Sequence, residues 1–139
     1  MNVQKIFIAS AAGAATLFAS GYIIYVLLFG NSPVGLEESA QEVMLAASET
    51  RFSGIIVMEL LYGLLLAATL NWKGTSGFGS GLIPGALIGS LIGFTFGLDL
   101  LSTTSLVNFN YEIFAGVTYA IRYGLAGGVI ALVYSQNNQ

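Results

Sequence analysis

The sequence predicts an all-α fold: a four-transmembrane-helix bundle with a short amphipathic helix in the first outer loop. Three observations support this. Hydrophobic residues make up 55% of the 139 and charged residues only 8%, where an average soluble domain has about 25%. Four stretches, 6–29, 52–72, 74–98 and 113–139, contain no charge except Glu59 and Arg122. Each can cross a bilayer once, because a spanning helix needs about 20 apolar residues. Strand-like alternation is absent, which argues against a barrel and leaves helices, whose backbone satisfies itself in lipid. The chain therefore reads as one integral membrane domain over 1–139, with helices at approximately 5–29, 52–72, 78–100 and 112–134.

In the first helix, Lys5 precedes a long apolar run. A signal peptide is the competing reading, but the run continues through Tyr22–Phe29 and has no suitably placed A-x-A site. Lys5 and Lys73 flank the spans on one side, while Glu37, Glu38, Glu42, Glu49 and Arg51 lie between helices one and two. The positive-inside rule then places both termini in the cytoplasm and the connections 30–51 and 100–112 outside. Trp72 is expected as an inner anchor, and Tyr25, Phe52 and Tyr111 near the outer interface.

The first outer loop contains a helix signal of its own. Ser32-Pro33 suits a helix start. Leu36, Ala40, Val43, Met44 and Ala47 recur at helical spacing, with Glu37, Glu38, Gln41 and Glu42 largely opposite. This predicts a short acidic helix on the membrane surface, either a solvated cap or a docking surface.

Helix three holds the most regular pattern. Gly77, Gly81, Gly85, Gly89, Gly93 and Gly97 recur every fourth residue, with Pro84 among them as a candidate kink. Glycine costs a helix about 1 kcal/mol relative to alanine in water, so a row in register points to close backbone packing in lipid. Helix four repeats the theme with Gly116, Ala120, Gly124 and Gly128, helix one with Ala9, Gly13 and Gly21, and helix two with Gly63 and Ala67. These small residues either join helices of one chain or dock a second protomer, another subunit or a flat lipid-like molecule.

Two ionisable residues lie inside spans, where a charge is expensive and marks a functional site by default. Glu59 lies about 10 Å into helix two. Arg122 lies near the middle of helix four and can extend back toward that helix's N-terminus, to a similar depth. An ion pair between them is expected, with Asp99 able to join, while Glu112 at the helix mouth is expected to be solvated. The pair either fixes helix order or serves as a proton or ion site. Arg122 shares a face with Thr118, Tyr119, Ala126 and Val129, and the notched face lies opposite. Neither face suits bare lipid, which favours a homo-oligomer or a membrane protein partner.

Composition removes several chemistries. The chain has no cysteine and no histidine, hence no disulfide, thiol nucleophile, imidazole base, histidine-ligated haem or ordinary zinc site. Phosphate-loop, G-x-S-x-G and H-E-x-x-H motifs are absent. No enzyme activity, metal or cofactor is expected. Four basic residues against seven acidic ones argue against nucleic acid as a partner; membrane lipid is the expected surrounding.

The stretch Gly21–Gly30, the glycine-rich third helix and the closing Ala126-Gly127-Gly128-Val129-Ile130 together resemble small four-helix membrane proteins of bacteria known as a domain of unknown function. The resemblance implies a bacterial inner-membrane location and no activity. Small multidrug exporters have an acidic residue in the first helix that is missing here. The phenylalanine-rich polar motif of fluoride channels is missing too. The reading that follows is a non-enzymatic membrane protein that associates with itself or serves as an accessory subunit of a larger complex. The alternative is a small homo-oligomeric channel or proton-coupled transporter using Glu59. A third class is a lipid or quinone binder using grooves beside the glycines.

Overall fold

A computed structural model describes residues 3–45 and 47–136. Helix α1 runs over Val3–Gly21 and continues as a π-helical segment, Tyr22–Leu28; α2 is Glu38–Val43, α3 Phe52–Lys73, α4 Phe78–Thr103 and α5 Phe109–Ser135. No strand forms among the described residues. The spans of α1 with its π segment, α3, α4 and α5 are each long and apolar enough to cross a membrane. The protein is thus a small multi-pass membrane protein with a four-helix bundle. Its surface fits that solvent. Ile83, Leu87 and Leu91 form one exposed row on α4, 72%, 61% and 60% accessible. In water such a row would forgo the stabilisation of burial, whereas against lipid tails it costs nothing. Of the sequence's polar tail, residues 137–139 lie outside the described residues.

Helix α5 is the centre of the bundle. It packs on α4, α1 and α3, whereas α4 touches little besides α5. Accordingly 56% of the apolar span of α5 is buried, against 28% for each of the other three. The face of α5 bearing Arg122 meets α1 and α3, and the notched face meets α4. A single chain therefore covers both faces that the sequence reading assigned to an oligomer.

The glycine row of α4 lies on the backbone of α5. A Cβ at Gly81, Gly85 or Gly89 would strike the carbonyl oxygens of Gly127, Tyr123 and Tyr119 in turn, and one at Gly93 would come within 2.5 Å of the Ala115 carbonyl oxygen. At Gly97 the nearest atom is Glu112 Cα, 3.1 Å away. Backbones this close gain dispersion contacts along their length, the main attraction available between helices in lipid. The α5 notch accepts α4 side chains: Phe94 covers Gly116, Phe78 covers Gly128 and Ala86 covers Gly124. Ala120 is half-buried between them in sequence. Pro84 does not interrupt α4.

Gly77 departs from the row. Nothing lies within 4 Å of a Cβ built there. It is the N-cap residue of α4 with φ of +84°, and its N–H donates to the Ala131 carbonyl at 3.1 Å. Its glycine serves the turn between α3 and α4, a backbone conformation that a side chain would strain.

On the other side of α5, Leu17, Leu66, Leu70, Ile130 and Tyr123 are fully buried. Gly63 brings α3 against α1, where an added Cβ would come within 2.5 Å of the Ser10 carbonyl oxygen. Lys5 Nζ donates to the Tyr134 carbonyl at 3.2 Å, a cation at the C-terminal end of α5 where the helix dipole favours it.

The opposite end of the bundle is tied by its two connections. Glu37 N–H donates to the Leu106 carbonyl and Asn108 N–H to the Gly35 carbonyl, each at 2.9 Å, forming an isolated antiparallel bridge between Leu36 and Val107. Asn108 caps α5 by accepting from Asn110 N–H at 3.0 Å, and its amide donates to Glu37 Oε1 at 2.8 Å. The loop helix consequently starts at Glu38, six residues long, and not at Ser32-Pro33. The bridge engages the backbone of 35–37, so helical turns can begin only after it. Ala40 is buried, while Val43 and Met44 are exposed, so the amphipathic pattern is only partly used. The side chains of Gln41 and Ala47, which that pattern includes, lie outside the described part.

Candidate functional site

The site lies where α1 gives way to its π segment, beside the first two turns of α3 and the middle of α5. Glu59 and Arg122 form an ion pair there, through Oε1 and Nη2. Both are buried, with only 3% and 4% of their surface accessible. Arg122 Nη2 also donates to the Leu17 carbonyl at 3.1 Å. The side chain thus reaches from the middle of α5 to both α1 and α3. Gly21 makes room for it: an added Cβ would come within 2.9 Å of Nη2.

Aromatic rings enclose the guanidinium. Tyr25 and Tyr119 each place a ring centroid 5.5 Å from its central carbon, inside the range of cation–π attraction. Tyr119 stacks on Tyr123 at 5.6 Å, and Tyr123 meets Tyr62 edge-on at 5.4 Å. The Tyr25 hydroxyl shares a 3.3 Å hydrogen bond with Thr118 Oγ1. The wider π turn over Tyr22–Leu28 belongs with this arrangement, since such turns re-aim side chains and recur at functional sites. Tyr25 thus lies against Arg122.

Hydrogen bonding at the pair is incomplete. Glu59 Oε2, Arg122 Nε and the Tyr123 hydroxyl are buried without a partner in the protein. Both bonds of Arg122 leave from Nη2, so Nε and Nη1 have no protein acceptor. Beside the pair is a partly open cavity of about 430 Å³, with Glu59 and Arg122 among its lining residues. Phe18, Tyr22, Phe52 and Met58 line it and are exposed at its rim. Toward the chain termini Leu17, Leu66, Leu70 and Ile130 are packed without accessible surface, and the buried hydroxyls of Ser10 and Tyr134 are bonded to backbone carbonyls.

Two acidic residues sit differently from the sequence reading. Asp99 is exposed on α4 and does not join the pair; α4 barely meets α3, so it is held away from Glu59. Glu112 is buried, not solvated, and its Oε2 has no partner. The close approach of Gly97 to its Cα covers it. The packed glycine rows of α4 and α5 join helices, and no glycine of either helix lines the cavity. The groove reading therefore moves from the glycine row to the space beside Arg122.

No family model, no curated protein and no solved structure matches this chain.

Tyr25, Tyr119, Gly21 and the Leu17 carbonyl complete the site around the ion pair. Gly21 and Tyr119 had a signal in the sequence, one as a small residue on helix one and the other on the face of Arg122. The inward turn of Tyr25 had none, because an α-helical wheel misplaces side chains after a π turn.

Proposed function

We propose that this chain is a non-enzymatic accessory protein of the membrane that works by holding a molecule in the cavity beside Glu59 and Arg122. The observation that carries the proposal is one-sidedness. The ion pair lines the cavity, and toward the termini Leu17, Leu66, Leu70 and Ile130 are packed without accessible surface. A conduit needs polar groups along the whole path, whereas a binding site needs one mouth and a specific floor. The proposed setting is the bacterial inner membrane with both termini cytoplasmic, which puts the cavity in the outer half of the bilayer. Self-association or attachment to a larger complex would use the exposed apolar faces of α3 and α4, because the glycine row is already engaged within the chain.

A second reading, a proton-coupled transporter, draws on one observation: Glu59 Oε2 and the Tyr123 hydroxyl are both buried and unpartnered. Liposomes with an entrapped pH indicator separate the two. The binding reading expects the same proton leak from the wild type and Glu59→Gln as from empty liposomes. Flux in the wild type that disappears in a folded Glu59→Gln overturns it in favour of transport.

A further inference from the structure

The charge and hydrogen-bonding pattern of the cavity define its ligand, and we infer that the occupant is a neutral, membrane-soluble molecule whose head carries carbonyl acceptors. This rests on the binding reading above and adds the chemical class. Charge is the first argument. Glu59 and Arg122 cancel, so an anionic head would meet an arginine already paired and a carboxylate that repels it. A cationic head would meet the reverse, and the ring faces of Tyr25 and Tyr119 that would attract it already hold the guanidinium. Burying either ion without a partner is strongly unfavourable. A neutral head carries no such penalty.

Hydrogen bonding is the second argument. Arginine offers donors only; Arg122 lines the cavity, and its Nη1 has no protein acceptor and is not among the fully buried unpartnered atoms, unlike Nε and Glu59 Oε2. A carbonyl oxygen in the cavity would give Nη1 an acceptor without bringing charge. The third argument is access. The helix-borne rim residues Phe18, Tyr22, Phe52 and Met58 are apolar or amphipathic and exposed, while the exposed Asn31 lines the cavity from the loop, so a ligand would enter between the helices from the bilayer and leave its tail there. A volume of about 430 Å³ is within the range of small-molecule sites and holds a head with a short length of tail. Isoprenoid quinones and diacylglycerols share this chemistry, and the aromatic walls favour the flat quinone head.

The test uses the full chain in lipid nanodiscs and four probes: a decyl benzoquinone, a dioctanoylglycerol, tetraphenylphosphonium and decyl phosphate. Binding is read by calorimetry and by the thermal midpoint. The expected result is binding of the two neutral carbonyl probes with a raised midpoint, the quinone tighter, and none by the two ions. Ile55→Trp fills the cavity from its wall, one helical turn from Glu59 and without removing either charge, and should weaken quinone binding about tenfold or more, a loss of about 1.4 kcal/mol. Tighter binding by the diacylglycerol keeps the carbonyl chemistry and assigns a lipid as its source. A photoreactive quinone gives a readout that needs no variant: labelling within 18–26 and 52–58 supports the site, and labelling confined to α4 overturns it. Preference for the cation or the phosphate overturns the ligand class but leaves a binding protein. Silence from all four probes also overturns the class, and the liposome assay then judges the binding reading separately.

Discussion

Helix α5 has two sides, and they are built on opposite principles. Toward α4 it presents backbone: carbonyls of Ala115, Tyr119, Tyr123 and Gly127 lie against a row of glycines with no room for a methyl group. Toward α1 and α3, at the level of Arg122, it presents side chains that hold a space open, with an ion pair in its lining and unpartnered polar atoms around it. The first side gains its stability from contact that excludes everything. The second tolerates incomplete hydrogen bonding, which a folded protein keeps only where something else compensates or where the site has work to do. The closed seam carries the bundle, and the open one is free to bind.

The largest effect should come from breaking the closed seam. Gly89→Leu places a side chain into the Tyr119 carbonyl and the Tyr123 ring. Backbone on the far side cannot swing away as a flexible side chain could, so the cost exceeds the usual overpacking penalty of about 1–3 kcal/mol. The expected outcome is loss of the folded bundle, read as a missing cooperative thermal transition in detergent. A variant with an unchanged midpoint would remove the close contact of α4 and α5 from the account.

The next effect addresses the open side. Glu59→Gln removes the counter-charge and leaves Arg122 buried and charged with only neutral partners, the Leu17 carbonyl, the amide oxygen and the Tyr25 and Tyr119 rings. Breaking one partner of a buried pair costs about 3–5 kcal/mol, whereas replacing both by apolar residues of similar size is often neutral or better. The expected order of thermal midpoints is therefore Glu59→Gln well below the wild type, and Glu59→Leu with Arg122→Met close to it. If the double variant falls as far as the single, the pair is required for the architecture and its role in the cavity is purely structural.

The two sides also differ in how far the sequence disclosed them. The closed seam repeats one residue type at one interval along a single segment, so Gly81, Gly85, Gly89, Gly93 and Gly97 were visible without knowing what they touch. Gly77 falls in the same register but sits in a turn, and periodicity alone cannot distinguish the two. The pair Glu59–Arg122 was legible because charges are scarce in the spans, which leaves each few candidates to meet. Asp99, at the outer end of its helix, looked able to join, but the separation of α3 from α4 is a property of the bundle and leaves no local trace. Nor does the bridge between Leu36 and Val107, which shifts the start of α2. The π turn that re-aims Tyr25 involves no proline, no charge and no break in the apolar run, so nothing in the sequence marked it.

The smallest effect sharpens the closed side by using the same residue type on the same helix. Gly79 is part of α4 but outside the packed row, and a Cβ there would meet nothing within 4 Å. Alanine should be accepted without displacement and should gain up to about 1 kcal/mol of helix preference. Gly85→Ala adds the same methyl group against the Tyr123 carbonyl and the Gly127 Cα, so the same chemical change should lower the midpoint. The prediction is thus a difference in sign between positions six residues apart, measured in one thermal series. If both alanines raise the midpoint, helix preference outweighs contact and the row is not under steric pressure. If both lower it, Gly79 touches something that the single chain does not contain, and the outer face of α4 becomes the place to look for a partner.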